Sequence, residues 1–357
     1  MADAPQTEAV QAVTYAASGV DIGAGDRAVE LMKTSIAAAA RPEVVGELGG
    51  FAGLFDASAL LGYRRPLLAT STDGVGTKVV IAQRLGIHDT IGRDLVAMLV
   101  DDVVVCGAEP LFVTDYIACG RVEPERIAAL VAGVAHGCRQ AGAALVGGET
   151  AEHPGLLAPD EYDLAGATTG VVEADDVLGA HRVQAGDVVL ALASSGLHAN
   201  GYSLARSAFF DHAGWALERE VPELGRTLGE EMLEPTRIYA QDCLALADAV
   251  DVHAMSHITG GGLAANIARV LPAGLGAVLD RGSWVLPPVF QLINDLGVAQ
   301  QELERTFNVG VGMAVVLPGD DVSEALALLG ERGVPAWMLG HVDRGEPTRC
   351  VGVHPGG

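Results

Sequence analysis

The chain has 357 residues, half of them hydrophobic, which is enough for two domains with sizeable cores. Its formal net charge of −24 works against nonspecific binding to nucleic acid or to an anionic membrane surface, so neither is an expected partner. Five scattered cysteines with no C-x-x-C argue against a disulfide framework or a zinc site, and fit reduced thiols in the cytoplasm.

Residues 1–13 read as a loose arm. The segment 27–40, "RAVELMKTSIAAAA", predicts a helix ended by Pro42. "PLLATST" (66–72) reads as a strand that runs into the glycine turn "TDGVGTK". "VVIAQRLG" predicts a short helix stopped by Gly86, and 94–110 predicts a long apolar helix carrying Asp101 and Asp102. "LFVTDYIAC" (111–119) reads as a strand. The segment 123–142 predicts a helix with Pro124 near its start, Ile127, Leu130, Val131, Val134 and Cys138 on one face, and Gly142 at its end. "ALVGGET" (144–150) reads as a strand entering a glycine turn, and 163–173 as another strand.

Polar, turn-rich residues 174–186 mark a domain boundary, giving segments 1–174 and 175–357. Beyond it come a strand at 187–193, a turn into a helix at 194–203 and a helix at 241–250. A glycine loop feeds a helix at 259–271, and a strand at 307–317, a helix at 321–333 and a strand at 336–342 follow. Strands alternate with helices throughout, so the class is α/β or mixed α+β. No signal peptide and no membrane-spanning apolar run is read.

Four glycine-rich turns follow extended segments: Thr70–Lys78, Gly147–Thr150, Ser194–Ser203 and Thr259–Gly262. Main-chain N–H groups in such turns can close on an anion, although an ordinary strand-to-helix connection has the same composition. Asp73, Asp102 and Glu149 lie on separate elements. Carboxylates that converge in space hold Mg²⁺ together with substrate phosphates. The Asp101–Asp102 pair reads either as metal-binding or as a solvated helix face. Lys78 reads as a phosphate partner or a surface lysine, His198 as an acid/base or a structural histidine, and Asn308 as a substrate contact or a satisfied buried amide. The residues alone reach as far as a nucleotide or phosphate enzyme.

The blocks "GVDIGAGD", "TDGVGTK", "IGRDLVAMLVDD", "GAEPLF", "LVGGETAEHPG", "SSGLHANGYSL", "EPTRIY", "HITGGGL" and "RTFNVGVGM" together resemble the phosphoribosylformylglycinamidine cyclo-ligases. The resemblance extends from Tyr15 to Val342. It implies an N-terminal ATP-binding and dimerisation domain whose strands form a barrel with those of a second copy, and a C-terminal substrate-binding domain. The implied reaction is ATP-dependent ring closure of formylglycinamidine ribonucleotide, by phosphorylation of the formyl oxygen, attack of the amidine nitrogen and loss of phosphate.

Carried over residue by residue, Asp73, Asp102 and Glu149 hold Mg²⁺. Lys33 and Lys78 face the ATP phosphates, and Lys33, His198 and Asn308 are candidates at the reaction centre. Gly19, Asp21, Gly74, Gly76, Thr77, Gly147, Gly148 and Thr150 belong to the nucleotide side. Ser194, Ser195, Gly196, Asn200, Thr259, Gly260 and Gly261 receive substrate. The segment Gly19–Asp26 is a glycine loop that closes over ATP. Many relatives have Asn-Asp where this chain has Asp101-Asp102, so Asp101 either joins the metal or turns away. Within the wider superfamily, selenophosphate synthetase would want a cysteine in the N-terminal glycine region, and the first cysteine here is Cys106. A noncatalytic ATP-binding regulator is the alternative from another class.

Overall fold

The computed structural model describes residues 21–46, 50–345 and 347–356, and it resolves the strand–helix alternation into two sheets. The first part runs α1 (Ile22–Ala38), β1 (Val44–Val45), β2 (Leu54–Phe55), β3 (Pro66–Gly74), α2 (Val79–Leu85), α3 (Ile91–Val104), β4 (Glu109–Cys119), α4 (Pro124–Ala141), β5 (Ala144–Glu152) and β6 (Tyr162–Glu173). β3, β6, β4 and β5 form a four-stranded sheet in that order. One register row across it reads Asp73, Gly166, Asp115, Gly148. Side chains alternate between the faces of a sheet, and this row faces α3: a Cβ on Gly166 would meet Leu95 and Leu99. α3 is buried on nearly every side, and α4 and then α1 pack beyond it.

The second part runs β7 (Val188–Ala193), α5 (Tyr202–Arg206), β8 (Glu220–Val221), β9 (Arg226–Thr227), α6 (Leu228–Leu233), α7 (Ala240–Ala249), β10 (Ala254–His257), α8 (Gly262–Ala268), β11 (Leu275–Asp280), α9 (Pro288–Asp295), α10 (Gln300–Thr306), β12 (Val311–Leu317), α11 (Val322–Glu331), β13 (Ala336–Arg344) and β14 (Arg349–Val351). The six-stranded sheet has the order β10-β12-β7-β13-β11-β14, and β12 is buried along its whole length. One apolar cluster extends through both parts, where two separate cores were expected.

Local chemistry moves several boundaries. The first helix begins at Ile22, because the Asp21 carboxylate caps it by accepting from the Ala24 N–H at 3.2 Å. In the predicted glycine loop, Ile22–Asp26 is therefore helical with Asp21 as its extended cap, and Gly19 and the 1–13 arm lie outside the described residues. The apolar helix of 94–110 stops at Val104: Gly107 turns the chain at φ 83°, and Glu109 already begins β4. The expected turn at Gly147-Gly148 is absent, because β5 continues through both glycines to Glu152 beside β4. The strand expected from 307 starts at Val311, after a turn in which Val309 and Gly310 both have positive φ.

Candidate active site

β3 delivers Asp73 and Gly74 to the edge of a cavity of about 450 Å³. The chain then turns at Gly76 (φ 72°) through a short 3₁₀ segment, Gly76–Lys78, into α2. Facing it is the segment after β7, where the loop residues Ala199–Gly201 and the start of α5, Tyr202–Leu204, line the other wall together with Thr306. Met98 of α3 lies in the lining, 3.7 Å from Asn200 Nδ2. The hydroxyls of Thr77 and Ser203 approach to 3.4 Å across the walls. Among the described residues Asp73 is the only charged one in the lining.

The Asp73 carboxylate is half-buried and accepts from the Gly74 N–H at 2.7 Å. Burial raises its pKa, the Gly74 bond opposes that rise, and nearby Asp102 adds to it. Asp102 is exposed and its Oδ1 lies 2.9 Å from His257 Nδ1. Burial pushes the His257 imidazole down, but the Asp102 hydrogen bond and the charges of Asp101, Asp102 and Asp73 outweigh it and raise the pKa. His257 Nε2 is buried without a partner. Asp101 turns away from this group into the interior. It accepts from the Tyr239 N–H at 2.9 Å, and burial pushes its pKa up to about 7.

Glu149 does not join these acids. It pairs with Tyr116, one position off the Asp73–Asp115 row, and so sits on the opposite face of the sheet. It is also three strand steps from β3, on the order of 14 Å. Gly147, Gly148 and Thr150 share that edge strand and lie outside the cavity lining. Among the described residues no group of three or more His, Cys, Asp or Glu is arranged to hold a metal.

The basic candidates depart furthest from expectation. Lys78 is fully buried, with Nζ donating to Asp94 Oδ1 (2.8 Å), the His198 carbonyl (3.0 Å) and the Glu234 carbonyl (2.6 Å). An ammonium has three donors, and all three are used, so the expected phosphate contact has no donor left. Lys33 lies on the exposed side of α1, 2.5 Å from Glu30, on a helix that packs against α4 and contributes nothing to the cavity lining.

His198 is buried and left-handed (φ 63°), and its Nε2 accepts from the Ser195 N–H at 3.1 Å. Burial, with the positive charges of His257, Lys78 and Arg237, drives its pKa well down, so the ring is neutral and its proton belongs on Nδ1. Asn308 is a satisfied amide: Nδ2 donates to the Gly196 carbonyl at 2.9 Å and Oδ1 accepts from the Gly310 N–H at 2.8 Å. Both residues brace the loop after β7 from behind, and neither lines the cavity.

Other expected contacts are committed elsewhere. The Asp21 N–H donates to Glu152. Asn266 Nδ2 holds the carbonyls of Thr259, Gly260 and Gly262. Ser194 and Ser195 donate to the carbonyls of Gly196 and Pro235. Ser194–Gly196 also line a smaller hollow of about 220 Å³ with Arg226 and Glu231. Sequence reading missed Asp94, Thr236, His257 and Ser203. Asp94 and His257 had a signal, as an isolated acid in an apolar helix and the histidine that opens "HITGGGL".

Comparison with known proteins agrees with this architecture. Residues 56–172 match AIR synthase related protein, N-terminal domain, and residues 184–351 match its C-terminal domain. The phosphoribosylformylglycinamidine cyclo-ligase of Shouchella clausii (strain KSM-K16) is 50% identical over 95% of this chain and 98% of its own length. That of Anaeromyxobacter sp. (strain Fw109-5) is 54% identical over 93% and 96%. Among solved structures, thiamine-monophosphate kinase from Stenotrophomonas maltophilia K279a shares the fold at a TM-score of 0.68 and 17% identity, over 90% of this chain and 96% of that one. Hydrogenase maturation protein HypE in complex with ATP does so at 0.56 and 19%, over 90% and 86%.

Proposed function

The chain belongs to the phosphoribosylformylglycinamidine cyclo-ligase family, and from that premise we infer how the two walls of its cleft divide the reaction. The protein is an ATP-dependent ligase of purine biosynthesis that makes aminoimidazole ribonucleotide. Its acceptor is formylglycinamidine ribonucleotide. ATP phosphorylates the formyl oxygen, the amidine nitrogen attacks the activated carbon, and phosphate leaves. An amide oxygen is a poor leaving group and phosphorylation makes it a good one. Such transfer depends on alignment and charge neutralisation.

The acid-bearing wall takes the nucleotide. The Gly74–Thr77 turn offers main-chain N–H groups and the Thr77 hydroxyl to phosphate oxygens. Among the described residues no lysine or arginine lines the cavity, so a divalent cation suits the neutralising role. Mg²⁺ needs only one or two carboxylates beside phosphate oxygens. Asp73, half-buried with no lysine or arginine against it, fits that need, and Asp102 lies close enough to raise its pKa. Asp73, with Asp102 nearby, would hold such an ion, and a bound Mg²⁺ would supply charge neutralisation to the phosphates. The neutral wall, with Asn200, Ser203 and Thr306, receives formylglycinamidine ribonucleotide through uncharged donors.

The observation that carries this division is the cavity itself, in which an acidic strand end of one domain faces a neutral loop of the other. With purified protein, Mg²⁺, ATP and formylglycinamidine ribonucleotide, ADP and the aminoimidazole product form one to one. ADP release independent of the acceptor would overturn the assignment.

The active form is a homodimer whose first sheets close a barrel. β3 is exposed along most of its length, and Leu67, Leu68 and Tyr116 are exposed apolar residues on the sheet. A bare sheet edge with apolar side chains is a natural pairing surface. Sedimentation at micromolar concentration distinguishes one copy from two.

A further inference from the structure

We propose that Lys78 is a positioning residue that fixes the spacing of the two cleft walls by holding the His198 turn, and that it does not contact phosphate. The inference rests on the reading that ATP and acceptor occupy opposite walls.

Lys78 directly follows Thr77 on one wall, and His198 directly precedes Ala199 on the other. The 3.0 Å bond from Lys78 Nζ to the His198 carbonyl therefore joins the walls behind their lining residues. A second strut runs alongside it. Asp94 Oδ1, which accepts from Lys78, also accepts from the Thr236 N–H at 2.8 Å and from its hydroxyl at 2.6 Å. The Glu234 carbonyl completes the ammonium's shell, and the Tyr202 ring lies 5.6 Å away. Two opposite charges from the first domain are thus fixed to His198, Glu234 and Thr236 of the second. A buried charge is costly unless fully paired. Withdrawing one donor for a phosphate would leave the His198 or Glu234 carbonyl without its Lys78 hydrogen bond, or the Asp94 carboxylate without its counter-charge.

The held turn is strained. A left-handed conformation is uncommon for a residue other than glycine and persists only where its surroundings over-determine it. Here Lys78 binds the carbonyl and the Ser195 N–H binds the ring. Gly312 leaves room for that ring: a Cβ there would lie 2.5 Å from His198 Cε1. Release of the carbonyl frees the turn that carries Ala199, Asn200 and Ser203. A displacement of ~1 Å between reacting groups can cost ~10²-fold in rate.

Lys78→Met keeps the length of the side chain and removes its donors. The expected result is a fall in kcat of ~10²-fold, a clear rise in KM for formylglycinamidine ribonucleotide, and an almost unchanged Kd for a nonhydrolysable ATP analogue with Mg²⁺ in calorimetric titration. Thr236→Val removes one buried hydroxyl outside the cavity lining and gives the same pattern in smaller degree. A Kd for the analogue that rises as far as kcat/KM falls would make Lys78 a phosphate ligand and overturn the proposal. Unchanged kcat in Lys78→Met would overturn it too. If Lys78→Met does not fold, Thr236→Val decides: unchanged kcat in a folded protein contradicts the latch. Asn200→Ala separates the two levels. If it leaves acceptor KM unchanged, the reading of the cleft fails. If it raises that KM while Lys78→Met behaves as an ATP ligand, only the latch fails.

Discussion

The two walls of the cleft are made of similar material and differ in charge. Each follows a strand, turns on glycine, offers a hydroxyl and keeps a basic residue behind it: Thr77 and Lys78 on one side, Ser203 and His198 on the other. Only the first wall adds a carboxylate, Asp73, with Asp102 nearby. The basic residues, which read as chemistry, are used for bracing. The acid and the neutral donors are what reach the cavity. A wall with carboxylate but no cation suits metal-bound phosphates, and a neutral wall suits an acceptor recognised by hydrogen bonds.

The comparison breaks first at Asp73. Asp73→Asn should lower kcat/KM by ~10³-fold, as loss of a central electrostatic group does, and raise the Mg²⁺ concentration needed for half-maximal rate. Circular dichroism and sedimentation should be unchanged. Normal turnover would remove Asp73 from the metal role and erase the difference between the walls.

The second test concerns the acid side behind the sheet. Asp115 shares the register row of Asp73, and its Oδ1 occupies space that a Cβ on Gly148 would need, at 1.7 Å. Burial pushes its pKa from the ordinary 3.8 up to about 7. Between those values the folded state keeps a proton that the unfolded state has lost. This contribution to stability therefore falls as pH rises from about 4 to about 7, and stays low above. Asp115→Asn should match wild type near pH 4 and exceed it by about 2–4 kcal/mol at pH 8 in urea unfolding. Equal stability at pH 8 would mean that the carboxylate finds compensation.

On the neutral wall, Asn200→Ala should raise KM for formylglycinamidine ribonucleotide by ~10-fold, the scale of one ligand hydrogen bond, and leave ATP KM unchanged. A shift in ATP KM instead would mean that the walls have been assigned the wrong way round. The smallest effect belongs to Lys33. Exposed and paired with Glu30, it predicts steady-state parameters within about twofold of wild type for Lys33→Ala, as for most surface changes. A large loss would show that α1 reaches the nucleotide.

What is legible in the sequence follows the range of the forces involved. Helix ends set by Gly86, Pro124 and Gly142 depend on neighbours within a turn, and they fall where expected. Asp73 is legible because a strand end before a glycine turn is itself a local pattern. The use of Lys78 is not, because its partners include Glu234, 156 positions away, and Asp94, whose own partner Thr236 is 142 positions away. Glu149 fails for a related reason. Motif spacing carries no record of sheet order or face, and both separate it from Asp73. Asn308 and His198 read equally well as chemistry or as bracing until their hydrogen bonds are seen.

The most direct test follows the formyl oxygen. Formylglycinamidine ribonucleotide labelled with ¹⁸O at the formyl group should transfer its label to inorganic phosphate, one atom per aminoimidazole ribonucleotide formed, with ATP and Mg²⁺ present. Label recovered in water, or ring closure without ADP, would contradict phosphorylation of that oxygen and with it the division of labour between the two walls.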